Sequence, residues 1–228
     1  MATYVLVHGG WDGGWAWRAV ANELQAAGHA VFTPTLTGSG ERVHLASPSV
    51  DLHTHVLDIV NVLHYEKLHD VILVGISYSG MVITGVAEQV PERLGQLIYL
   101  DAFVPQDGES LKDLIGPGLA AFFTERAQTL GDGWRVPHLP PEADRRTDVL
   151  LNVLSQPVTV RNPLAARLLH TYVLFTAKPP DNPFGPILAQ IAARVRAEGW
   201  RYQELATDHF PILDQPHEVA TLLLELAG

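Results

Sequence analysis

The 228-residue chain has a net charge of −10, no cysteine and 47% hydrophobic residues. Its length and apolar content suit one large domain, and the lack of cysteine excludes disulfides, thiolate metal sites and cysteine nucleophiles. The acidic balance argues against nucleic acid or an anionic membrane surface as a partner. The opening stretch MATYVLVHGG has no secretion-signal pattern, and no apolar run reaches the roughly 20 residues of a membrane span. We therefore expect a soluble, cytoplasmic protein.

Six short apolar runs, mostly rich in β-branched or aromatic residues, are predicted to be strands. In chain order they are residues 3–8, 30–34, 70–75, 96–102, 171–176 and 200–206. Most of these runs are separated by segments with helical spacing, and one more such segment ends the chain. The helical segments are 14–28, 51–66 with Asp51 as N-cap, 78–90, 184–198 and 215–227. This alternation predicts a mainly parallel, doubly wound α/β sheet with helices on both faces.

Residues 103–170 interrupt the alternation. They contain many prolines and glycines but no convincing strand, and they are too long for a plain crossover connection. Their apolar pieces at 111–130 and 148–156 look helical. We therefore predict a core of residues 1–102 and 171–228, with residues 103–170 as a helical cap. Such a cap would lie beyond the carboxyl ends of the strands, where doubly wound sheets bind ligands.

The stretch DVILVGISYSG places a serine where a strand is followed by a helix. A sharp strand-to-helix turn strains its central residue and requires small residues two positions before and after it. Ser77 has Gly75 and Ser79 at those positions, whereas Ser79 would have the bulky Met81 on one side. Ser77 is therefore the candidate nucleophile. An N-cap of the following helix is an equally good interpretation of this segment alone, because the last glycine of G-x-S-x-G is missing.

A serine hydroxyl needs a base within hydrogen-bond reach and donors for the oxyanion that its attack creates. His209 follows the last predicted strand and comes after Ser77 in the chain, the order found in serine hydrolases with this turn. The H-G-G turn after the first strand predicts the amides of Gly10 and Tyr78 as oxyanion donors. A phosphate-binding loop is disfavoured, because His8 stands where its first glycine would be.

Five stretches together carry a family resemblance. They are VLVHGGWDGGWAW at 5–17, LTGSGERVHLASPSVDLHTHV at 36–56, VILVGISYSGMVI at 71–83, LIYLDAFVP at 97–105 and DHFPILDQPHEVA at 208–220. The chain resembles the α/β-hydrolases, and within them the branch of plant methylesterases, hydroxynitrile lyases and bacterial esterases including pyrethroid hydrolases. The resemblance implies the α/β-hydrolase fold, with Ser77 as nucleophile, His209 as base, and Gly10 and Tyr78 as oxyanion donors.

Two positions separate the chemistries of this branch. Its hydroxynitrile lyases carry threonine at the position of Gly9 and lysine at the position of Phe210. The resemblance therefore implies ester hydrolysis rather than cyanide release. The chain also departs from the branch at the strand-to-helix turn around Ser77, called the nucleophile elbow, where Ile76 and Ser79 replace the usual histidine and glycine.

The acid of the triad is the larger departure. The resemblance implies a carboxylate within about three residues of the strand TYVLFT, but AKPPDN follows, and Asp181 is its first carboxylate. We predict Asp181 as the acid. Asp101, at the end of the preceding strand, remains the alternative because some hydrolases carry the acid there.

The sequence thus predicts a serine esterase that cleaves a small or medium-sized hydrophobic carboxylic ester through an acyl-enzyme, with no cofactor or metal. Candidate pocket residues are Trp11, Leu119, Phe122 and Phe123, although packing among cap helices explains each of the last three equally well. A hydroxynitrile-lyase-like C–C lyase and a non-catalytic ligand-binding protein on this fold are the alternatives. The sequence leaves open a homodimer, and does not decide between a methyl ester, a pyrethroid-like ester and a lactone.

Overall fold

The computed structural model describes residues 1–138 and 145–227. Its strands are β1 (Thr3–Val7), β2 (Ala30–Phe32), β3 (Val71–Ile76), β4 (Leu94–Leu100), β5 (Arg135–Val136), β6 (Val149–Leu150), β7 (Leu169–Phe175) and β8 (Arg201–Leu205). Six of them form one parallel sheet in the order β2-β1-β3-β4-β7-β8. These are the six strands that the sequence predicted, so the doubly wound α/β sheet is confirmed.

The helices also follow the predicted segments closely. They are α1 (Arg18–Ala26), α2 (Leu52–Tyr65), α3 (Ser79–Gln89), α4 (Leu111–Leu130), α5 (Gly185–Ala197), α6 (Pro211–Asp214) and α7 (Pro216–Leu226). Asp51 is the N-cap of α2 as predicted, because its carboxylate accepts a hydrogen bond from the amide of Thr54 at 2.9 Å. Within the described ranges, no helix is long and apolar enough to cross a bilayer.

The segment between β4 and β7 holds a long helix and a small two-stranded antiparallel sheet. Helix α4 is kinked at Gly116, whose φ of 76° is outside the helical region, because the following Pro117 disfavours helical geometry in the residue before it. The expectation that residues 148–156 are helical is only partly met. Strand β6 opens this stretch and pairs antiparallel with β5, which supplies its backbone partners, and only residues 151–154 form a 3₁₀ turn.

Apolar side chains cover both faces of the main sheet. Successive residues of a strand point to opposite faces, so Val5 and Val7 of β1 pack toward α2 and α3, while Tyr4 and Leu6 pack toward α1 and α7. Since all six strands run parallel, the loops that follow β1, β3, β4, β7 and β8 meet at one edge of the sheet. The candidate site lies at this edge.

Candidate active site

Three side chains at the carboxyl edge form a continuous hydrogen-bonded chain. Ser77 follows β3, and its Oγ lies 2.9 Å from Nε2 of His209, which follows β8. The other ring nitrogen, Nδ1, lies 2.7 Å from Oδ2 of Asp101, which follows β4. A carboxylate can only accept a hydrogen bond, so Nδ1 carries the proton and donates, and Nε2 is free to accept the hydroxyl proton of Ser77. This is the tautomer that a general base for a serine nucleophile requires.

The backbone at Ser77 is strained in the way that a nucleophile elbow requires. Its φ is 55°, in the left-handed region that residues other than glycine seldom enter. Its amide donates to the carbonyl of Leu100, and its own carbonyl accepts from the amides of Gly80 and Phe103. Helix α3 has Tyr78 at its N-cap position, with no side-chain cap, and the hydroxyl of Ser77 contacts His209 instead. The N-cap interpretation of Ser77 is therefore wrong.

Ser79 occupies the position of the missing glycine without disturbing the turn. Its side chain is fully buried, and its Oγ accepts a hydrogen bond from the amide of Ile76 at 2.8 Å. The same hydroxyl faces the carbonyls of Val7, at 2.8 Å, and of Ile76, at 2.9 Å. Ser79 thus joins the end of β1, which leads into the glycine loop, to the end of β3, which leads into Ser77.

The glycine loop after β1 lies against the elbow. A Cβ added to Gly9 would come within 3.4 Å of the Cβ of Ser77, and one added to Gly10 would come within 4.0 Å of the Cβ of Tyr78. Trp11 follows with a φ of 66°, and its indole N–H donates to the carbonyl of Val136 at 2.9 Å. The loop backbone can therefore approach the serine closely, as an oxyanion-binding loop must.

A cavity opens onto Ser77 and His209. Its walls are mainly apolar and come from the glycine loop, the elbow, the segment between β4 and β7, the start of α5 and the loop after β8. The aromatic side chains that line it are those of Trp11, Tyr78, Phe103, Phe123, Phe184 and Phe210. A lining of this kind suits an apolar molecule, with the polar groups confined to the reacting end.

Comparison with known proteins assigns the chain to a family. The sequence model described as alpha/beta hydrolase family matches residues 4–222. The chain belongs to that family. In the carbendazim hydrolyzing esterase of Nocardioides sp. strain SG-4G, 119 residues are 53% identical, which is 52% of this α/β-hydrolase and 49% of that esterase. In salicylic acid-binding protein 2 of Nicotiana tabacum, 103 residues are 33% identical, 45% of this chain and 40% of that protein. The match thus spans less than half the length of these two curated relatives.

The fold is shared over a longer range. The solved structure of an extracellular alpha/beta-hydrolase from a Paenibacillus species superimposes with a TM-score of 0.81. The match covers 99% of this α/β-hydrolase and 98% of that chain, at 24% sequence identity. The whole described chain therefore has the α/β-hydrolase architecture that the motifs implied.

The carboxylate beside His209 belongs to Asp101 rather than to Asp181, which we predicted. Asp101 is completely buried and adopts a φ of 44° directly after β4. Asp181 is exposed in the turn before α5, and no hydrogen bond joins it to His209. The residues AKPP after β7 carry the chain outward before the first carboxylate appears. Lys178 of this loop instead lies beside Asp101, a contact that the sequence did not reveal.

The predicted pocket residues divide into two pairs. Trp11 and Phe123 line the cavity, and their ring centroids are 6.0 Å apart. Leu119 and Phe122 do not line it: Leu119 packs at the edge of the core, and Phe122 is 45% exposed. The helical spacing of α4, together with its kink, turns Phe123 inward and Phe122 outward. Phe103 and Phe184 also line the cavity, although neither was predicted to do so. Of the two, only Phe103 lies in a stretch that carries the family resemblance, LIYLDAFVP.

Two buried histidines support the glycine loop and Tyr78. Nε2 of His8 accepts a hydrogen bond from the amide of Leu36 at 3.0 Å, so its Nδ1 donates to the carbonyl of Gly9. Nε2 of His55 donates to a backbone carbonyl, so its Nδ1 accepts from the hydroxyl of Tyr78 at 2.9 Å. Burial lowers the pKa of His8 to about 4 and also lowers the pKa of His55. Both rings are neutral near pH 7 and act as fixed hydrogen-bonding supports.

Proposed function

We propose that this α/β-hydrolase is a serine esterase, and the contact of Ser77 with His209 and Asp101 is the observation that carries the proposal. The Oγ of Ser77 attacks the ester carbonyl, and its proton passes to Nε2 of His209. The amides of Gly10 and Tyr78 stabilise the oxyanion of the tetrahedral intermediate. His209 then protonates the departing alcohol and leaves an acyl group on Ser77.

Water completes the cycle. His209 removes a proton from the water as it attacks the acyl carbon, and the proton returns to the Oγ of Ser77 as the acid product leaves. Asp101 acts throughout by holding the ring of His209 in one tautomer and by stabilising the imidazolium that forms twice per turnover. Its role replaces the one that we predicted for Asp181.

The substrate class follows from the cavity and from a relative. Aromatic walls next to a polar reacting end favour an ester with an aromatic or otherwise apolar group. Carbendazim, after which the Nocardioides relative is named, is a methyl carbamate of an aromatic bicycle and fits this description. We therefore infer methyl esters of aromatic acids and methyl carbamates of aromatic amines as substrates, and residues 103–170 as the cap that covers them.

Covalent labelling tests the nucleophile. A fluorophosphonate probe should modify Ser77, as identified by peptide mass spectrometry, and Ser77→Ala should lower p-nitrophenyl ester hydrolysis by at least about 10⁴-fold. Ser155→Ala, which removes an exposed hydroxyl, is the matched control and should be fully active. Full activity of Ser77→Ala would refute the mechanism. No labelling and no ester turnover by the wild type would instead support a ligand-binding protein.

A substrate panel separates the remaining alternatives. Methyl benzoate and carbendazim should be cleaved faster than a pyrethroid ester or a lactone. Mandelonitrile should release no cyanide, because Gly9 and Phe210 line the cavity and provide neither a hydroxyl nor a cation. Cyanide release at a rate comparable to ester cleavage would favour the lyase.

A further inference from the structure

Lys178 is a buried lysine in direct contact with the candidate triad. Its Nζ lies 2.6 Å from Oδ1 of Asp101, the carboxylate oxygen that does not face His209. The side chain of Lys178 is only 9% exposed and that of Asp101 is not exposed at all. The same ammonium also donates to the carbonyl of Phe175. A lysine is seldom buried to this extent without a specific charge partner.

The carboxylate of Asp101 therefore has two partners, the ammonium of Lys178 and the imidazole of His209, which becomes a cation when it takes a proton. Oδ1 accepts from Lys178 and from the amide of Phe175 at 3.1 Å, while Oδ2 accepts from His209. When His209 takes the proton of Ser77, it becomes a second cation beside the same carboxylate. The ammonium balances the buried negative charge before the reaction, so His209 is not needed as a charge partner in its resting state.

Other charged or titratable groups near the pair already have partners or are neutral. These groups are Asp12 in the glycine loop, Tyr172 in β7, Arg194 in α5 and Asp208 in the loop that carries His209. Asp12 is ion-paired with Arg146, and burial raises the pKa of Tyr172 well above 10. Arg194 donates to a backbone carbonyl, and the carboxylate of Asp208 accepts a hydrogen bond from the backbone amide two residues further along the chain. In the part of the chain that the structure describes, Lys178 is the one lysine or arginine paired with Asp101.

The loop that carries Lys178 is fixed independently of its side chain. The amide of Thr176 donates to the carbonyl of Leu205, and the amide of Ala177 donates to the carbonyl of Thr207. These bonds tie the end of β7 to the loop that presents His209. Replacing the ammonium should therefore change the charge beside Asp101 while leaving the backbone in place.

We propose that Lys178 is a positioning residue of the catalytic site, whose ammonium balances Asp101 and thereby lets His209 stay neutral and basic at lower pH. The inference rests on the proposed serine esterase function. Without the cation, the buried carboxylate has His209 as its only charge partner and draws a proton onto the imidazole before substrate binds. A protonated imidazole cannot accept the proton of Ser77.

The test is the pH dependence of kcat/KM for Lys178→Met, Lys178→Gln and Lys178→Arg. In the Met and Gln variants the acid-side midpoint should move up by about one pH unit, so that kcat/KM near pH 6 falls about tenfold. The high-pH plateau should stay within about threefold of wild type, because the triad contacts themselves are retained. Lys178→Arg should restore the wild-type midpoint. Lys67→Met, at an exposed lysine, is the control.

Each other outcome overturns the proposal. An equal loss of kcat/KM at every pH, or no change at any pH, would mean that the charge of Lys178 does not act on His209. Failure of both uncharged variants to fold would assign Lys178 to stability alone. The rate of fluorophosphonate labelling of Ser77 against pH gives the same readout without an ester substrate. If wild type shows neither labelling nor turnover, the esterase proposal fails, whereas an unshifted profile in active variants refutes only the role of Lys178.

Discussion

Replacing Asp101 by asparagine tests whether Asp101 is the acid of the triad, because the surrounding donors fix how the asparagine amide must be oriented. Oδ1 of Asp101 faces two donors, the ammonium of Lys178 and the amide of Phe175. An asparagine at this position must therefore point its one carbonyl oxygen at those donors. Its NH₂ group then faces Nδ1 of His209, which is forced to accept a hydrogen bond.

This inversion moves the ring proton of His209 to Nε2, the nitrogen that faces Ser77. A protonated Nε2 cannot remove the hydroxyl proton, so kcat should fall about 10⁴-fold for Asp101→Asn, which corresponds to about 5.5 kcal/mol in the activation free energy. Asp181→Asn changes an exposed carboxylate of the same type and should stay within about twofold of wild type.

The assay is p-nitrophenyl ester hydrolysis at the pH optimum, with the folded fraction of each variant checked by circular dichroism. The double variant Asp101→Asn, Asp181→Asn should be no worse than Asp101→Asn alone. If Asp181→Asn is crippled and Asp101→Asn retains more than about a tenth of the activity, the acid is Asp181 and the tautomer argument is wrong.

Two further predictions concern stability. Ser79→Ala removes a buried hydroxyl that pairs with the amide of Ile76, so the free energy of unfolding measured in urea should fall by about 1–3 kcal/mol; an unchanged value would show that this hydroxyl does not stabilise the elbow. Burial lowers the pKa of His8 from 6.5 to about 4. Between these two pH values the unfolded chain binds a proton at His8 that the folded chain does not bind, so the free energy of unfolding falls as the pH falls from 6.5 toward 4. The total loss over this range should be about 3 kcal/mol. Urea unfolding between pH 7 and pH 4.5 should show this slope, and His8→Gln should flatten it; an equally steep slope in the variant would place the proton elsewhere.

The parts of the structure that the sequence predicted depend on short-range rules. The alternation of strands and helices determined the sheet, and the crowding rule at the turn selected Ser77 over Ser79. His209 was found from its position after the last strand, because parallel strands bring their carboxyl ends to one edge. Each of these inferences needs only a residue type and its place relative to a strand end.

The acid could not be chosen by such a rule. Both Asp101 and Asp181 follow a strand of the sheet, and the choice depends on the path of the AKPP loop and on which side chain faces His209. The residues that line the cavity were hard to predict for the same reason. Phe122 and Phe123 are neighbours in the chain, and the kink of α4 at Gly116 decides which one faces inward. Three-dimensional packing between separate segments decided both cases.

The distribution of backbone strain supports placing the acid at Asp101. Trp11, Ser77 and Asp101 all have positive φ, at 66°, 55° and 44°, and each lies in a loop that leaves one of three adjacent strands of the sheet. A residue other than glycine in this conformation costs about 1–3 kcal/mol and persists only where its surroundings hold it. Asp101 is held by Lys178, by His209 and by the amide of Phe175. Asp181 is not one of the residues with positive φ and it is exposed, so a site built around it would leave the strain at Asp101 and the burial of Lys178 without a function.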